Sequence, residues 1–455
     1  MPSLTFNLFK NQTTPTLWMN HLIVIYALLL PISKYANSFI FFLILTLFII
    51  RGNFKEHLTP VVKNKIIQAF VLFFIVHILW LYGTENFSQA KLAISFAKYS
   101  LFPIIFFSFL DRRFSYFVIS AFTIGILYSE LISYFIQLDI LPLSLELYKI
   151  PIYACPGDSS PFLDHSQYST SLAFVASLLF FTFLTRASEN YRKLLELFFI
   201  FSISINLFLN GGRIGYLLYL VLLTYVIIFI YGKTLLKPAL ITLIGIFSFF
   251  YLAYLYSPLF QSRTIQTMDE ISALQNNRDF STAIGARIGF TYYAKDVIMH
   301  HPFFGVGTGD YMDEVKKIIP DIPSNHFMKY TMGHPHNIYT MLLLQFGIIG
   351  LMVYFNIFYQ IYRSKSHEEY LNFVKYSILL TFFIALITET FLDRFYLPLF
   401  VLIISAVFAG RKLPENIKLT LSKKTIFMYF ILLLLATLNA KLQFIIQILR
   451  TYING

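Results

Sequence analysis

The sequence predicts an all-α polytopic membrane protein, and three observations carry that expectation. Hydrophobic residues make up 57% of the chain and charged residues only 13%. A soluble domain carries roughly a quarter charged residues and could not shield this much apolar surface from water. The apolar residues fall in blocks of about 15–25, the length a helix needs to cross roughly 30 Å of hydrocarbon. Lysine and arginine collect in alternate links between those blocks, as cytoplasmic links require. The length therefore reads as one transmembrane domain, residues 1–455, rather than a string of soluble domains.

About twelve spans are expected. They are Leu17–Pro31, Phe39–Ile50, Ile66–Tyr82, Lys91–Leu110, Tyr116–Ile136, Ser169–Leu184, Leu194–Leu209, Ile214–Tyr231, Leu236–Tyr256, His336–Tyr362, Leu371–Phe391 and Tyr396–Ala409. Ile426–Leu438 is a candidate thirteenth. The first block lacks a small-residue cleavage site and reads as a retained span. Cations in the links Arg51–Lys65, Arg112–Arg113, Arg186–Lys193, Lys233–Lys237, Arg363–Lys365 and Arg411–Lys424 put those links, and the N-terminus, in the cytoplasm. Lys441 and Arg450 leave the side of the C-terminus open.

On the opposite side lie the link at 137–168 and the long polar segment 257–335, a large loop, inserted between the ninth and tenth spans, with helices of its own. Ser281 is expected to cap a helix running to about Met299, with His301-Pro302 ending it. Gly305–Gly309 then reads as a flexible turn.

The net charge of +12 does not point to nucleic acid, because the cations sit in short links rather than in an aromatic-interleaved patch. The single cysteine, Cys155, excludes an intramolecular disulfide framework and a cysteine metal cluster.

Chemistry concentrates at the outer interface. His336-Asn337 opens the tenth span, and Gly347-Ile348-Ile349-Gly350 follows about 16 Å deeper along a straight helix. The two glycines read as small residues for close helix packing. His336 reads either as a helix-capping histidine or as a base for an attacking hydroxyl. His334, with His300 and His301, hints at a metal, but no carboxylate or thiolate completes a set, so none is assigned. Arg213 follows Gly211-Gly212 on the cation-poor side, which argues for an anionic partner. Arg287 lies on the loop helix. Two guanidiniums converging there would form a clamp for a diphosphate, since their planar forks match phosphate oxygens. Asp164-His165-Ser166-Gln167 reads as a cap or a sugar contact. Glu389, Asp393 and Arg394 read first as an interface ion pair and second as part of a site.

His336-Asn337 with Gly347 and Gly350, Arg213-x-x-x-Leu217, and Arg287 ahead of His301-Pro302-Phe303-Phe304-Gly305-Val306-Gly307 together resemble the O-antigen ligase family. That family sits in a superfamily with O-antigen polymerases and protein O-oligosaccharyltransferases. The resemblance implies a GT-C-like glycosyltransferase of the bacterial inner membrane, acting on the periplasmic face without a cofactor. It implies an undecaprenyl pyrophosphate glycan as donor and lipid A–core oligosaccharide as acceptor. By the same resemblance Arg213 and Arg287 hold the pyrophosphate and His336 activates the acceptor. Asn337, His334, His165 and Glu389 are further candidate substrate contacts, and Asp310 and Tyr311 candidate glycan contacts. Alternatives are a Wzy-type polymerase, a protein-glycosylating ligase and, in a different class, a lipid or glycan transporter. Against the transporter, the charged candidates gather at one interface rather than at mid-membrane.

Overall fold

The structure is a computed structural model that describes residues 13–141, 144–145, 150–151, 159–186, 189–232, 236–366, 368–390, 392–410 and 426–438. Cys155, Lys233, the cations of Arg411–Lys424, Lys441 and Arg450 lie outside the described residues.

Every apolar block is a helix. In order they are α1 (Thr13–Leu29), α2 (Lys34–Arg51), α3 (Phe54–Val62), α4 (Lys65–Leu79), α5 (Phe87–Ala97), α6 (Phe102–Phe109), α7 (Ser115–Gln137), α8 (His165–Thr185) and α9 (Asn190–Phe208). There follow α10 (Arg213–Tyr231), α11 (Leu236–Tyr256), α12 (Pro258–Asn277), α13 (Ala283–His300), α14 (Tyr311–Ile318), α15 (Ile338–Arg363), α16 (Glu369–Ala385) and α17 (Tyr396–Val407). The last described helix is α18 (Ile426–Leu438). Among the described residues the one β ladder is two residues long, Ser144–Leu145 against Ile150–Pro151. The protein is a helical, polytopic membrane protein.

By length and apolarity, six of the described helical segments can cross a bilayer, or eight if two sharply bent pairs each count as one crossing. The expected twelve therefore also relies on shorter helices such as α1 and α17, and the candidate thirteenth is the short α18.

The chain divides into two compact units, one made of Met1–Ile67, Phe102–Asp164 and Val401–Gly455, the other of Gln68–Leu101 and His165–Phe400. In the first, buried Asn20 of α1 donates to the carbonyls of Thr16 (2.8 Å) and Phe109 (3.0 Å). Its own oxygen accepts from Asp111 N at 2.9 Å. One side chain thus satisfies the backbone where α6 turns into α7, which apolar surroundings would otherwise leave unpaired.

The second unit is built around α8, which is buried on nearly every side. Its serines return their hydroxyls to carbonyls three or four residues back, as Ser169 does to Ser166 and Ser171 to Gln167. Small residues let α10 approach closely: a Cβ at Gly212 or Gly215 would collide with Ser169.

The tenth span is not the straight helix expected. Gly347 has φ 61° and ψ −159°, and α15 breaks there. The segment after α13 is docked into that break. Val306 N and Gly307 N donate to the carbonyls of Leu344 (2.8 Å) and Gln345 (3.0 Å), and Ile348 N donates to Pro302 O at 2.9 Å. The glycine-rich stretch is therefore not a flexible turn; its backbone satisfies groups that the broken helix exposes. A Cβ at Gly305 would meet the backbone of Leu344 and Gln345, and one at Gly347 the backbone of Phe303 and Phe304. Gly347 thus serves a close backbone approach, but to a loop rather than to a neighbouring helix. Asp310 continues the anchoring by accepting from Asn86 N (2.7 Å) and Glu85 N (3.1 Å). Tyr311 is buried.

Gly347→Ala should destabilise the protein by about 1–3 kcal/mol from its backbone conformation alone, since that region is essentially reserved for glycine. Thermal melting of the purified chain in detergent checks this; an unchanged transition would contradict the break.

Candidate functional site

Four helices of the second unit begin at one cavity of about 1220 Å³. Its wall includes His165 and Ser166 at the start of α8, Arg213 and Ile214 at the start of α10, Ala283 and Ile284 at the start of α13, and Asn337 at the start of α15. Helix N-termini present unpaired N–H groups and the positive end of the helix dipole. Such a wall favours an anion. The rest of the lining is largely aliphatic, with Leu217, Ile288, Ile298 and Leu343 among it.

Local sequence explains where these helices start. Thr282 caps α13, its hydroxyl accepting from Gly285 N at 3.0 Å. The cap expected at Ser281 is one residue off, because the Ser281 hydroxyl is engaged by Asp279 at 2.7 Å. Asn337 caps α15, accepting from Tyr339 N (3.0 Å) and Thr340 N (3.1 Å). Capping therefore belongs to Asn337 and not to His336.

Helical spacing then aligns the cations. Arg213 and Leu217 share a face of α10. Ile284, Arg287, Ile288, Thr291 and Lys295 form one stripe of α13 facing the cavity. Arg263 and Thr267 do the same from α12, with Glu270 one turn further on.

Each arginine is held differently. Arg213 makes a bidentate pair with Glu270, Nη1 to Oε2 at 3.0 Å and Nη2 to Oε1 at 2.9 Å. Glu270 Oε2 also accepts from Ile284 N at 3.0 Å, so one buried carboxylate joins α10, α12 and the first turn of α13. Arg287 donates from Nη1 to Ala283 O at 3.2 Å, and its buried Nε has no hydrogen-bond partner. Arg263 donates to Gln266 at 3.0 Å, and its buried Nε is likewise unpartnered.

His336 does not line the cavity itself but stands beside residues that do. Its Nδ1 is 3.9 Å from Oε2 of Glu389, which lies on the cavity wall. At that separation the contact is an ion-pair approach and not a hydrogen bond, and Nδ1 has no hydrogen-bond partner. His336 also has a φ of 49°, unusual for a side chain of its size. His336 N donates to His334 Nδ1 at 3.3 Å, and the two rings lie 3.9 Å apart. Burial pushes the His334 imidazole down to about 4, with the neighbouring His336 acting the same way, Glu389 opposing and Arg287 adding to the depression. His334 is therefore neutral at pH 7 and its Nδ1 is free to accept.

The ion pair expected among Glu389, Asp393 and Arg394 is not what forms around Glu389. Glu389 turns to His336, while Asp393 accepts from Phe395 N at 2.8 Å and from Gln167 Nε2 at 2.7 Å. Gln167 thus braces α17 rather than touching the cavity. Sequence reading missed Glu270, Arg263 and Lys295. The i, i+4, i+7 spacing of Arg263, Thr267 and Glu270 was the available signal. Among the described residues no three His, Cys, Asp or Glu side chains cluster as a metal site would require.

Glu270→Ala should lower stability by roughly 1–3 kcal/mol, since it strands a guanidinium and removes an acceptor from α13. A detergent-phase melting curve equal to wild type would refute that. The folded His334 binds its proton less readily than a free histidine, so its contribution to stability is complete above about pH 6.5 and is lost as pH falls toward 4. Histidine ring shifts followed by NMR, with the His334 resonance assigned by its loss in His334→Gln, should show that imidazole titrating near 4; a midpoint near 6.5 for it would contradict this.

No curated protein matches the chain. Residues 197–355, less than half of it, match the family model described as O-antigen ligase. The matched segment contains Arg213, Arg263, Glu270, Arg287 and His334–Asn337, and leaves out His165 and Glu389. That match supports membership of the O-antigen ligase superfamily and, at the coarse level, an enzyme of glycosyltransferase type.

Proposed function

We propose that the protein is an O-antigen ligase, transferring a glycan from undecaprenyl pyrophosphate to lipid A–core oligosaccharide at the periplasmic face of the inner membrane. The observation that supports it most is the cavity wall, where Arg213, Arg287 and four helix starts meet an aliphatic surface. A lipid diphosphate is amphipathic in the same way: two ionised phosphates on a hydrocarbon chain.

In the reaction the acceptor hydroxyl oxygen attacks the anomeric carbon of the donor sugar. The bond from that carbon to the diphosphate oxygen breaks, and the electron pair leaves with the lipid diphosphate. His336 takes the hydroxyl proton, and Glu389 at 3.9 Å offers a counter-charge to the imidazolium formed. The guanidiniums of Arg213 and Arg287 carry the leaving-group charge, so neither a metal nor a general acid is assigned to that step. Attack opposite the departing diphosphate inverts the anomeric centre. Glu270 occupies Arg213 before the donor arrives, and the phosphate takes over some of its hydrogen bonds. Asn337 sets the start of α15, while His334 positions the His336 backbone. His165 contributes to the wall near the donor.

Purified protein given lipid-linked glycan and lipid A–core should transfer the glycan. Arg213→Ala, Arg287→Ala and His336→Ala should each reduce transfer by roughly 100-fold or more while the protein still folds. Full activity in any of the three removes that residue from the proposed site. Linkage analysis of the product should show inversion; retention would rule out direct displacement.

A further inference from the structure

We propose that Arg263 is a third guanidinium on the donor diphosphate, one that answers the charge appearing as the sugar departs. The inference rests on the diphosphate reading of the cavity and extends it. Sequence inspection passes over Arg263, because an arginine on a polar loop helix ordinarily faces water.

Its surroundings here are different. Arg263 lines the same cavity as Arg213 and Arg287, reaching it from α12. Its head group lies against the backbone just before α10: a Cβ placed on Gly211 would come within 3.0 Å of Arg263 Nη2 and 3.3 Å of its Nε. Gly211 is two residues ahead of Arg213, so two guanidiniums converge on one helix start. The absence of a side chain at Gly211 is what leaves Arg263 room to reach it.

The two arginines differ in what answers their charge. Arg213 already has a carboxylate in bidentate contact, at 2.9 and 3.0 Å. Arg263 has only the neutral amide of Gln266, at 3.0 Å, and its buried Nε has no partner. A guanidinium has five N–H donors, and a buried donor left unpaired is costly. An anion in the cavity would satisfy Arg263 without displacing any acid, whereas at Arg213 it must compete with Glu270. Arg263 is thus more ready than Arg213 to receive phosphate oxygen.

Chemistry assigns the moment at which this counts. While the sugar is attached, each phosphate carries one ionised oxygen. Once the glycosidic bond breaks, the terminal phosphate gains a further negative charge. A cation with unspent hydrogen-bonding capacity stabilises that state more than the ground state, and such differential stabilisation accelerates the step. Arg263 should therefore affect kcat more than the KM for donor.

The test uses full-length protein in detergent and geranylgeranyl diphosphate, a product-like probe, beside geranylgeranyl monophosphate. Wild type should bind the diphosphate more tightly than the monophosphate. Arg263→Ala should weaken diphosphate binding roughly ten-fold and monophosphate binding much less. Arg263→Gln, which keeps the stem length but not the charge, should show the same loss and serves if the alanine variant does not fold. Turnover with the natural donor should fall through kcat. If either folded variant binds the diphosphate as wild type does, the assignment of Arg263 is overturned while the ligase reading stands. If wild type itself shows no preference for diphosphate, the reading of the cavity fails, and the role of Arg263 with it.

Discussion

A guanidinium at the edge of an apolar bundle must be answered by something, and in this protein the answer for Arg213 is Glu270. The bidentate contact joins the start of α10 to α12, and the same carboxylate accepts from the first turn of α13. Three of the helices that wall the cavity are tied through one acid. A charge pair with much of its surface out of water is a poor source of net stability, because desolvation offsets most of the attraction. Its value lies in geometry: it sets where Arg213 and the α13 stripe bearing Arg287 sit, and it keeps a cation in a place that otherwise favours anions. The Glu270 carboxylate resembles, in charge and in its two acceptor oxygens, the phosphate expected to enter.

The second constraint comes from the backbone. A break in a membrane helix exposes N–H and carbonyl groups that lipid cannot satisfy. At Gly347 the protein meets that requirement by laying the Pro302–Gly307 backbone into the gap, with hydrogen bonds running both ways. The link fixes the end of α13 against α15. The cavity-facing stripe of α13 and the capped start of α15, with His336 beside it, are thus parts of one braced assembly. The positive φ of His336 fits the same picture, since a residue in that conformation persists when its neighbours determine it. His334 is one such neighbour, accepting from the His336 backbone.

Much of this was legible in the chain, and the remainder was hidden for identifiable reasons. Apolar block length foretold helices throughout, because hydrocarbon thickness leaves little choice. Arg213 with Leu217, and Arg287 on its stripe, were visible because helical spacing is local. The break at Gly347 was not, since the glycine pair is equally consistent with close helix packing. What distinguishes the two is a segment some forty residues earlier in the chain, docked where no periodicity reports it. Glu270 lies 57 residues from Arg213, and nothing local marks it as that arginine's partner. Glu389 was read first as an interface acid; its turn toward His336 depends on how α16 ends. Arg263 went unseen because its meaning rests on a glycine half a hundred residues away.

The most direct test of the central claim is a cryo-EM structure of the full chain with a bound polyprenyl diphosphate. The account predicts diphosphate density in the cavity within hydrogen-bonding reach of Arg213 and Arg287, with the Arg213–Glu270 pair loosened and His336 across the sugar position from the terminal phosphate. Density for the diphosphate elsewhere on the protein, with the Arg213–Glu270 contact unchanged, would contradict it.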